Sequence, residues 1–85
     1  MHIHMKLFGP FRTIGETIDL NVPSGSTADD LPAAMTDYIE ALGDHAQLIQ
    51  TLAVSRFATE TSVLARGQTL TDGMQLAVIP PVAGG

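Results

Sequence analysis

The stretch STADDLPAAMTDYIEALG, residues 26–43, predicts the one long helix of the chain and thereby decides its fold. Candidate N-cap residues stand at its start: Ser26, Thr27 and Asp29. Pro32 fits the first helical turn, where its missing N–H costs nothing. Apolar residues then recur at helical spacing on a single stripe, namely Leu31, Met35, Tyr38, Ile39 and Leu42. Gly43 suits the position after the last turn, so we expect a helix over residues 28–42.

Two alternating stretches precede this helix. Residues 1–8 place apolar side chains at every second position, and residues 16–22 do the same. This period of two predicts half-buried strands, which the Gly9-Pro10 break joins as a hairpin with a long loop.

Weaker signals follow the helix. Residues 45–50 suggest a short helical turn, residues 52–54 a strand and residues 63–64 a short edge strand. Asp72-Gly73 predicts a tight turn. The largely apolar run over residues 74–79 predicts a central strand.

The resulting order β-β-α-β-β-β predicts an α+β fold of the β-grasp, or ubiquitin-like, type. One helix with one apolar stripe must pack on one face of one sheet. We expect a mixed sheet of four to five strands whose last strand runs parallel to the first. Residues 1–80 would form the single domain, and residues 81–85 a flexible, extended Gly-Gly tail. The predicted core contains Leu7, Leu20, Leu31, Met35, Ile39 and Leu76.

Composition excludes several classes of function. The formal net charge is −5 and the four basic residues are scattered, which disfavours nucleic-acid binding and favours a basic partner surface. The absence of cysteine removes thiolate chemistry and fits a reducing cytoplasm. No stretch predicts a membrane span or a signal peptide. His2 and His4 share a strand face, but two ligands without a third make a weak metal site, so none is expected.

The sequence ends in the arm Pro80-Pro81-Val82-Ala83-Gly84-Gly85. Extended, its residues reach up to about 20 Å, and its tip carries no side chain that would block a narrow channel. We therefore expect the C-terminal carboxylate of Gly85 to be the distinctive reactive group of the chain. The alternative is a frayed terminus without chemistry.

Three segments resemble the MoaD/ThiS sulfur-carrier family, and within it the small subunits of molybdopterin synthase. These are residues 6–15 (KLFGPFRTIG), the helix with its preceding Pro-Ser-Gly-Ser-Thr, and residues 70–85 (LTDGMQLAVIPPVAGG). The resemblance implies that Gly85, next to Gly84, is adenylated and converted to a thiocarboxylate. The sulfur would then pass to a pterin precursor during molybdenum cofactor biosynthesis. The chain would act as the sulfur-donor subunit of a sulfurtransferase complex and contribute no catalytic side chain.

The resemblance also implies partners. A ubiquitin-activating-type adenylyltransferase would use ATP and Mg, a sulfur donor protein would supply sulfur, and the large synthase subunit would receive the arm. No cofactor would be bound by this chain itself. The expected partner-binding residues are Phe8, Phe11, Arg12, Ile79, Pro80, Pro81, Val82 and Ala83. For the two phenylalanines and Ile79, a place in the core is equally open. For Arg12, a solvated charge is equally open.

Two other hypotheses remain. The same sulfur chemistry can serve thiamine, cysteine, thiolated tRNA or ubiquitin-like protein modification. Alternatively, the chain is a β-grasp interaction module that is never activated, in which case Gly85 can be extended or deleted without loss.

Overall fold

The computed structural model describes residues 1–81, which form a four-stranded sheet with two helices packed on one of its faces. The elements in chain order are β1 (His2–Leu7), β2 (Thr17–Asn21), α1 (Leu31–Leu42), α2 (Ala46–Leu52), β3 (Arg56–Ala58) and β4 (Met74–Ile79). Short 3-10 helices cover Gly9–Ile14 in the β1–β2 loop and Ala28–Asp30 before α1.

The sheet is mixed, in the order β2-β1-β4-β3. β1 pairs antiparallel with β2 and parallel with β4, and β3 pairs antiparallel with β4. The parallel pairing of the first and last strands confirms the β-grasp prediction. It also places β4 inside the sheet, so that the chain continues beyond the end of β4 from a position between β1 and β3.

The core lies between the inner face of the sheet and the helices. Alternation along β1 turns Ile3, Met5 and Leu7 inward, where they are at most 2% exposed. All six residues predicted for the core are buried in one cluster: Leu7, Leu20, Leu31, Met35, Ile39 and Leu76.

The long helix forms close to its predicted place. The 3-10 turn at Ala28–Asp30 leads into α1, and the Thr27 amide donates to Asp30 Oδ2 at 2.8 Å. Gly43 ends the helix at φ 132°, a conformation that favours glycine. Leu42 departs from the prediction, because it is 49% exposed. It is the last residue of α1 and stands beyond the part of the stripe that faces the sheet.

The strand predicted over residues 52–54 is wrong. Leu52 is the last residue of α2, whose Leu48 and Leu52 lie one helical turn apart and pack into the core. The short apolar run is therefore the end of a helical stripe. The third strand follows it, at Arg56–Ala58, in a stretch for which no strand was predicted.

The edge strand predicted over residues 63–64 is also wrong. Val63 forms only an isolated bridge to Ala58 and is 52% exposed. The strand β3, to which Val63 is bridged, has only three residues, so it offers few backbone groups with which a further strand could pair.

The predicted turn at Asp72-Gly73 is confirmed, and it ties β4 to β1. Gly73 has φ 80° and donates its amide to His2 O at 2.7 Å. The His2 amide in turn donates to Asp72 Oδ1 at 2.7 Å.

Candidate functional site

The candidate site is the end of the sheet where the C-terminal arm begins. β4 ends at Ile79, followed by a half-buried Pro80 and an exposed Pro81. The remaining predicted site residues, Val82, Ala83, Gly84 and Gly85, lie outside the described residues, as does most of the predicted flexible tail.

Phe8 and Ile79 form an exposed apolar pair at the root of the arm. Phe8 is 38% exposed and Ile79 is 44% exposed. Both follow the parallel pair Leu7 and Val78, which explains why they come together at one end of the sheet. Both line a shallow groove on the outer face of the sheet, opposite the helices.

Phe11 does not belong to this exposed pair. It is fully buried, at 0% exposure, and joins the main core from the 3-10 helix of the β1–β2 loop. The expectation that it contributes to an exposed patch is therefore wrong. Its side chain instead anchors the loop that stands beside the arm.

Arg12 lies on the exposed side of the same loop. Its Nη2 is 3.5 Å from Glu16 Oε1, and both side chains are mostly exposed. An exposed pair of this kind holds the guanidinium only weakly, so Arg12 can turn to a partner at little cost.

Two further basic residues, missed in the sequence, flank the arm. Lys6 Nζ lies 5.4 Å from the centroid of the Phe8 ring, within the range of a cation–π interaction. Arg56 is the register partner of Ile79 on the neighbouring strand. The spacing Lys6-x-Phe8 along an alternating strand signals a shared face, whereas Arg56 has no local signal because its strand was not recognised.

The charges at this end of the sheet are mixed in sign. Lys6 and Arg12 lie beside Phe8, and Arg56 is the register partner of Ile79. Glu16 lies in the groove with Lys6 and Arg12, and Glu60 lines the groove of Phe8 and Ile79. Screening limits exposed charges to about 8 Å at physiological ionic strength, so a docking partner responds mainly to the local ones. Because basic and acidic side chains are nearly balanced here, the basic partner surface that the net charge of −5 favours does not follow for this end of the sheet.

The two histidines of β1 differ in how they are bonded, since His4 uses its ring and His2 uses its main chain. His4 Nδ1 hydrogen-bonds to Asp19 Oδ1 on the outer face of the sheet. The His2 amide bonds Asp72, and this bond holds the pKa of Asp72 below its ordinary value. Within residues 1–81, no three histidine or acidic side chains gather in a way that would hold a metal ion.

Neither helix of the described chain is long and apolar enough to cross a bilayer.

Comparison with solved structures gives the fold of ubiquitin-like carriers and modifiers. SAMP1 from Haloferax volcanii aligns with a TM-score of 0.74 at 21% identity, over 100% of both chains. Molybdopterin converting factor subunit 1 from Pyrococcus furiosus aligns with a TM-score of 0.73 at 20% identity, over 96% of this chain and 99% of that one. A chain from the complex of subunits 1 and 2 of the molybdopterin-converting factor of Helicobacter pylori aligns with a TM-score of 0.62 at 23% identity, over 100% of both.

A search of curated proteins gives no significant match. The sequence model of the ThiS family, in contrast, matches residues 5–85, from the second half of β1 through both helices and β4 to the Gly-Gly end. The structure and the family model therefore agree on a fold of the kind shared by ThiS/MoaD-type sulfur carriers and ubiquitin-like modifiers. Because the match extends over nearly the whole sequence, the chain belongs to the ThiS family, within the MoaD/ThiS sulfur-carrier group.

Proposed function

We propose that the chain is a sulfur carrier and the small subunit of a molybdopterin synthase. Its C-terminal Gly85 is adenylated, converted to a thiocarboxylate and used to donate sulfur to a pterin precursor. The observation that carries the proposal is the family match running to residue 85, on a fold whose last strand ends beside the exposed pair Phe8 and Ile79.

The chemistry requires two steps, since a carboxylate has no good leaving group. The Gly85 carboxylate attacks the α-phosphate of ATP, and pyrophosphate leaves as the acyl-adenylate forms. In the second step, a persulfide sulfur of the donor protein attacks the acyl carbon and displaces AMP. A thiol then attacks the donor-side sulfur of the resulting acyl disulfide, so that a new disulfide forms and the thiocarboxylate is released. ATP and Mg belong to the activating enzyme in this scheme, and the carrier itself binds no cofactor.

The carrier contributes by positioning the reacting C-terminal group. The arm delivers its end into the large subunit, so that a bimolecular sulfur transfer becomes a reaction within one complex. Phe8, Ile79, Pro80 and Pro81 are the proposed contacts at its root, with Arg12, Lys6 and Arg56 around them. The complex of the two Helicobacter pylori subunits supports a large-subunit partner for a chain of this fold. A cytoplasmic site for this activity agrees with the absence of cysteine.

The direct test is intact-mass spectrometry after incubation with ATP, magnesium, a sulfur donor and the matching activating enzyme. The mass should rise by about 16 Da as one acyl oxygen is replaced by sulfur. Deletion of Gly84 and Gly85 should abolish the gain, while Gly85→Ala should reduce it strongly, because the added methyl group meets the channel that admits the tip. An unchanged mass, with an activating enzyme that turns over ATP, would instead favour a β-grasp interaction module.

A second candidate is ubiquitin-like protein modification, favoured by the similarity to SAMP1 of Haloferax volcanii. In that case the activated Gly85 acyl group would pass to a lysine amine and form an isopeptide bond. The two functions differ in the acceptor molecule. In the first, sulfur appears on a small molecule, and in the second, the carrier appears attached to other proteins. Thiamine, cysteine and tRNA thiolation are the remaining acceptors, and copurification of a large synthase subunit would decide against them.

A further inference from the structure

We propose that Gly9 is a positioning residue for the C-terminal arm. By carrying no Cβ, it lets Pro80 pack against the β1–β2 loop and so sets the direction in which the chain leaves β4. The inference rests on the proposed function, since the direction of the arm matters to activity only if its end reacts.

The sheet itself brings the two residues together. β1 and β4 are parallel, with Leu7 opposite Val78 in the register. Two residues after Leu7 and two after Val78, Gly9 lies against Pro80. A Cβ placed on Gly9 would lie 2.8 Å from Pro80 Cγ, closer than real Cβ atoms approach a neighbour.

The loop on one side of this contact cannot easily move away. Phe11, two residues after Gly9, is fully buried in the core. The Phe11 amide also donates to Phe8 O at 3.2 Å and closes the first turn of the 3-10 helix. A side chain added at Gly9 would therefore displace Pro80 in preference to the loop.

On the other side of the contact, a displacement of Pro80 is passed on to the residues that follow it. Pro80 and Pro81 each have φ confined near −65°, and a residue before proline is confined to extended conformations. Ile79 and Pro80 are both residues of that kind. With so few free torsions between β4 and Pro81, a shift of the Pro80 ring changes the direction of the arm and is not absorbed locally.

Gly67 provides a matched control. Gly9 and Gly67 have similar positive φ values, 57° and 69°, so alanine is strained at both. A Cβ on Gly67, however, meets nothing within 4 Å. Gly67→Ala thus reproduces the backbone strain of Gly9→Ala without the contact with Pro80.

The first experiment is structural and needs no enzyme. Amide chemical shifts of residues 82–85 are compared by NMR in the full-length wild type, Gly9→Ala and Gly67→Ala. We expect them to shift in Gly9→Ala and to match the wild type in Gly67→Ala. Equal arm shifts in the two variants would overturn the proposal. Thermal melting of both variants confirms that each is folded at the temperature used.

The second experiment is a double-mutant cycle on the rate of activation. Gly9→Ala should lower kcat/KM for thiocarboxylation by about tenfold or more, since small misplacements of a reacting group are costly, and Gly67→Ala should leave it near the wild-type value. In a Pro80→Ala background, which removes the ring, Gly9→Ala should have little further effect. Additive effects of the two substitutions would contradict a role through the contact.

The two hypotheses fail in different ways. If the wild type is never thiocarboxylated while its arm resonances respond to Gly9→Ala as expected, the proposed function is overturned and the packing role stands. If the wild type is thiocarboxylated and Gly9→Ala reacts at the rate of Gly67→Ala, the positioning role alone is overturned.

Discussion

At the scale of single residues, burial separates the side chains that hold the fold from those that remain free to meet a partner. Ile39 is 0% exposed, whereas Leu42, one turn later on the same helix, is 49% exposed. Phe11 is likewise buried, and Phe8, three residues earlier, is 38% exposed. Similar residue types a few positions apart thus have opposite roles, which depend on whether the side chain meets the inner face of the sheet.

Ile39→Ala should lower the free energy of unfolding by about 2–5 kcal/mol, the range for truncating a buried aliphatic side chain. Leu42→Ala is the matched control on the same helix and should cost less than half as much, because Leu42 is still 49% exposed in the folded protein. Urea denaturation of the two variants measures both values. A similar loss at the two positions would contradict the burial described for α1.

Asp72→Asn should change how stability depends on pH. The pKa of Asp72 is lowered in the folded protein, mainly by the hydrogen bond from the His2 amide. A lowered folded pKa contributes stability that is present above the unfolded value, 3.8, and is lost as pH falls through the folded value. The stability difference between wild type and Asp72→Asn should therefore be present at neutral pH and shrink below about pH 4. Chemical denaturation between pH 2 and pH 7 tests this, and a difference that stays constant across the range would count against it.

At the scale of elements, the region between α1 and β4 shows how tertiary contacts define short segments. α2 has seven residues and β3 has three, lengths at which local preference is weak. Leu48 and Leu52 make α2 a helix because both reach the core from one face. Phe57 supports β3 in the same way, by pairing with Val78 and turning its ring into the core.

Gln50→Pro tests the assignment of α2. Gln50 is exposed within the helix, and proline there removes a hydrogen bond and clashes with the preceding turn, at a cost of about 3 kcal/mol. Gln50→Ala, which keeps the helix, should be neutral or slightly stabilising. Denaturant midpoints give the comparison, and a well-tolerated proline would mean that residues 46–52 are not helical in solution.

At the scale of the whole molecule, sheet topology gathers distant parts of the sequence at one end. The parallel pairing of β1 and β4 brings the β1–β2 loop, with Phe8, Gly9 and Arg12, beside Ile79 and Pro80. β3 adds Arg56 from the other side. The arm thus emerges beside an apolar pair that has both basic and acidic side chains around it.

Lys6→Glu should weaken binding to the large synthase subunit, because Lys6 lies over Phe8 at the root of the arm. We expect about a tenfold rise in Kd at low salt, with the effect reduced at high salt, where exposed charges are screened. Arg66→Glu makes the same change of charge in the loop before β4 and should affect Kd much less, because the groove that Arg66 lines beside α1 contains neither Lys6 nor Phe8. Equal losses for the two variants would mean that only the net charge matters.

The sequence by itself was sufficient for the long helix and the three longer strands, because each carries a sustained hydrophobic period or an apolar run. The parallel pairing of the first and last strands was predicted from the β-grasp type of fold and not from a local pattern. Apolar side chains recur at strand spacing in residues 1–8 and 16–22 and at helical spacing in residues 28–42. In each element, therefore, only one face can pack into the core. The same sequence marked Phe8, Ile79 and the arm as candidates, through the Gly84-Gly85 tip and the resemblance of residues 6–15 and 70–85 to a known family.

Only the tertiary structure decided which of those candidates are exposed and what surrounds the arm. Phe8 and Phe11 are chemically identical, and their separation into surface and core depends on the path of the loop through Gly9–Ile14. The contact of Gly9 with Pro80 and the position of Arg56 beside Ile79 join residues far apart in sequence, through strand pairing that no local pattern encodes. Hydrophobic periodicity is a local property that determines each element, whereas the surroundings of the arm are set by register between elements, which exists only once the sheet has formed.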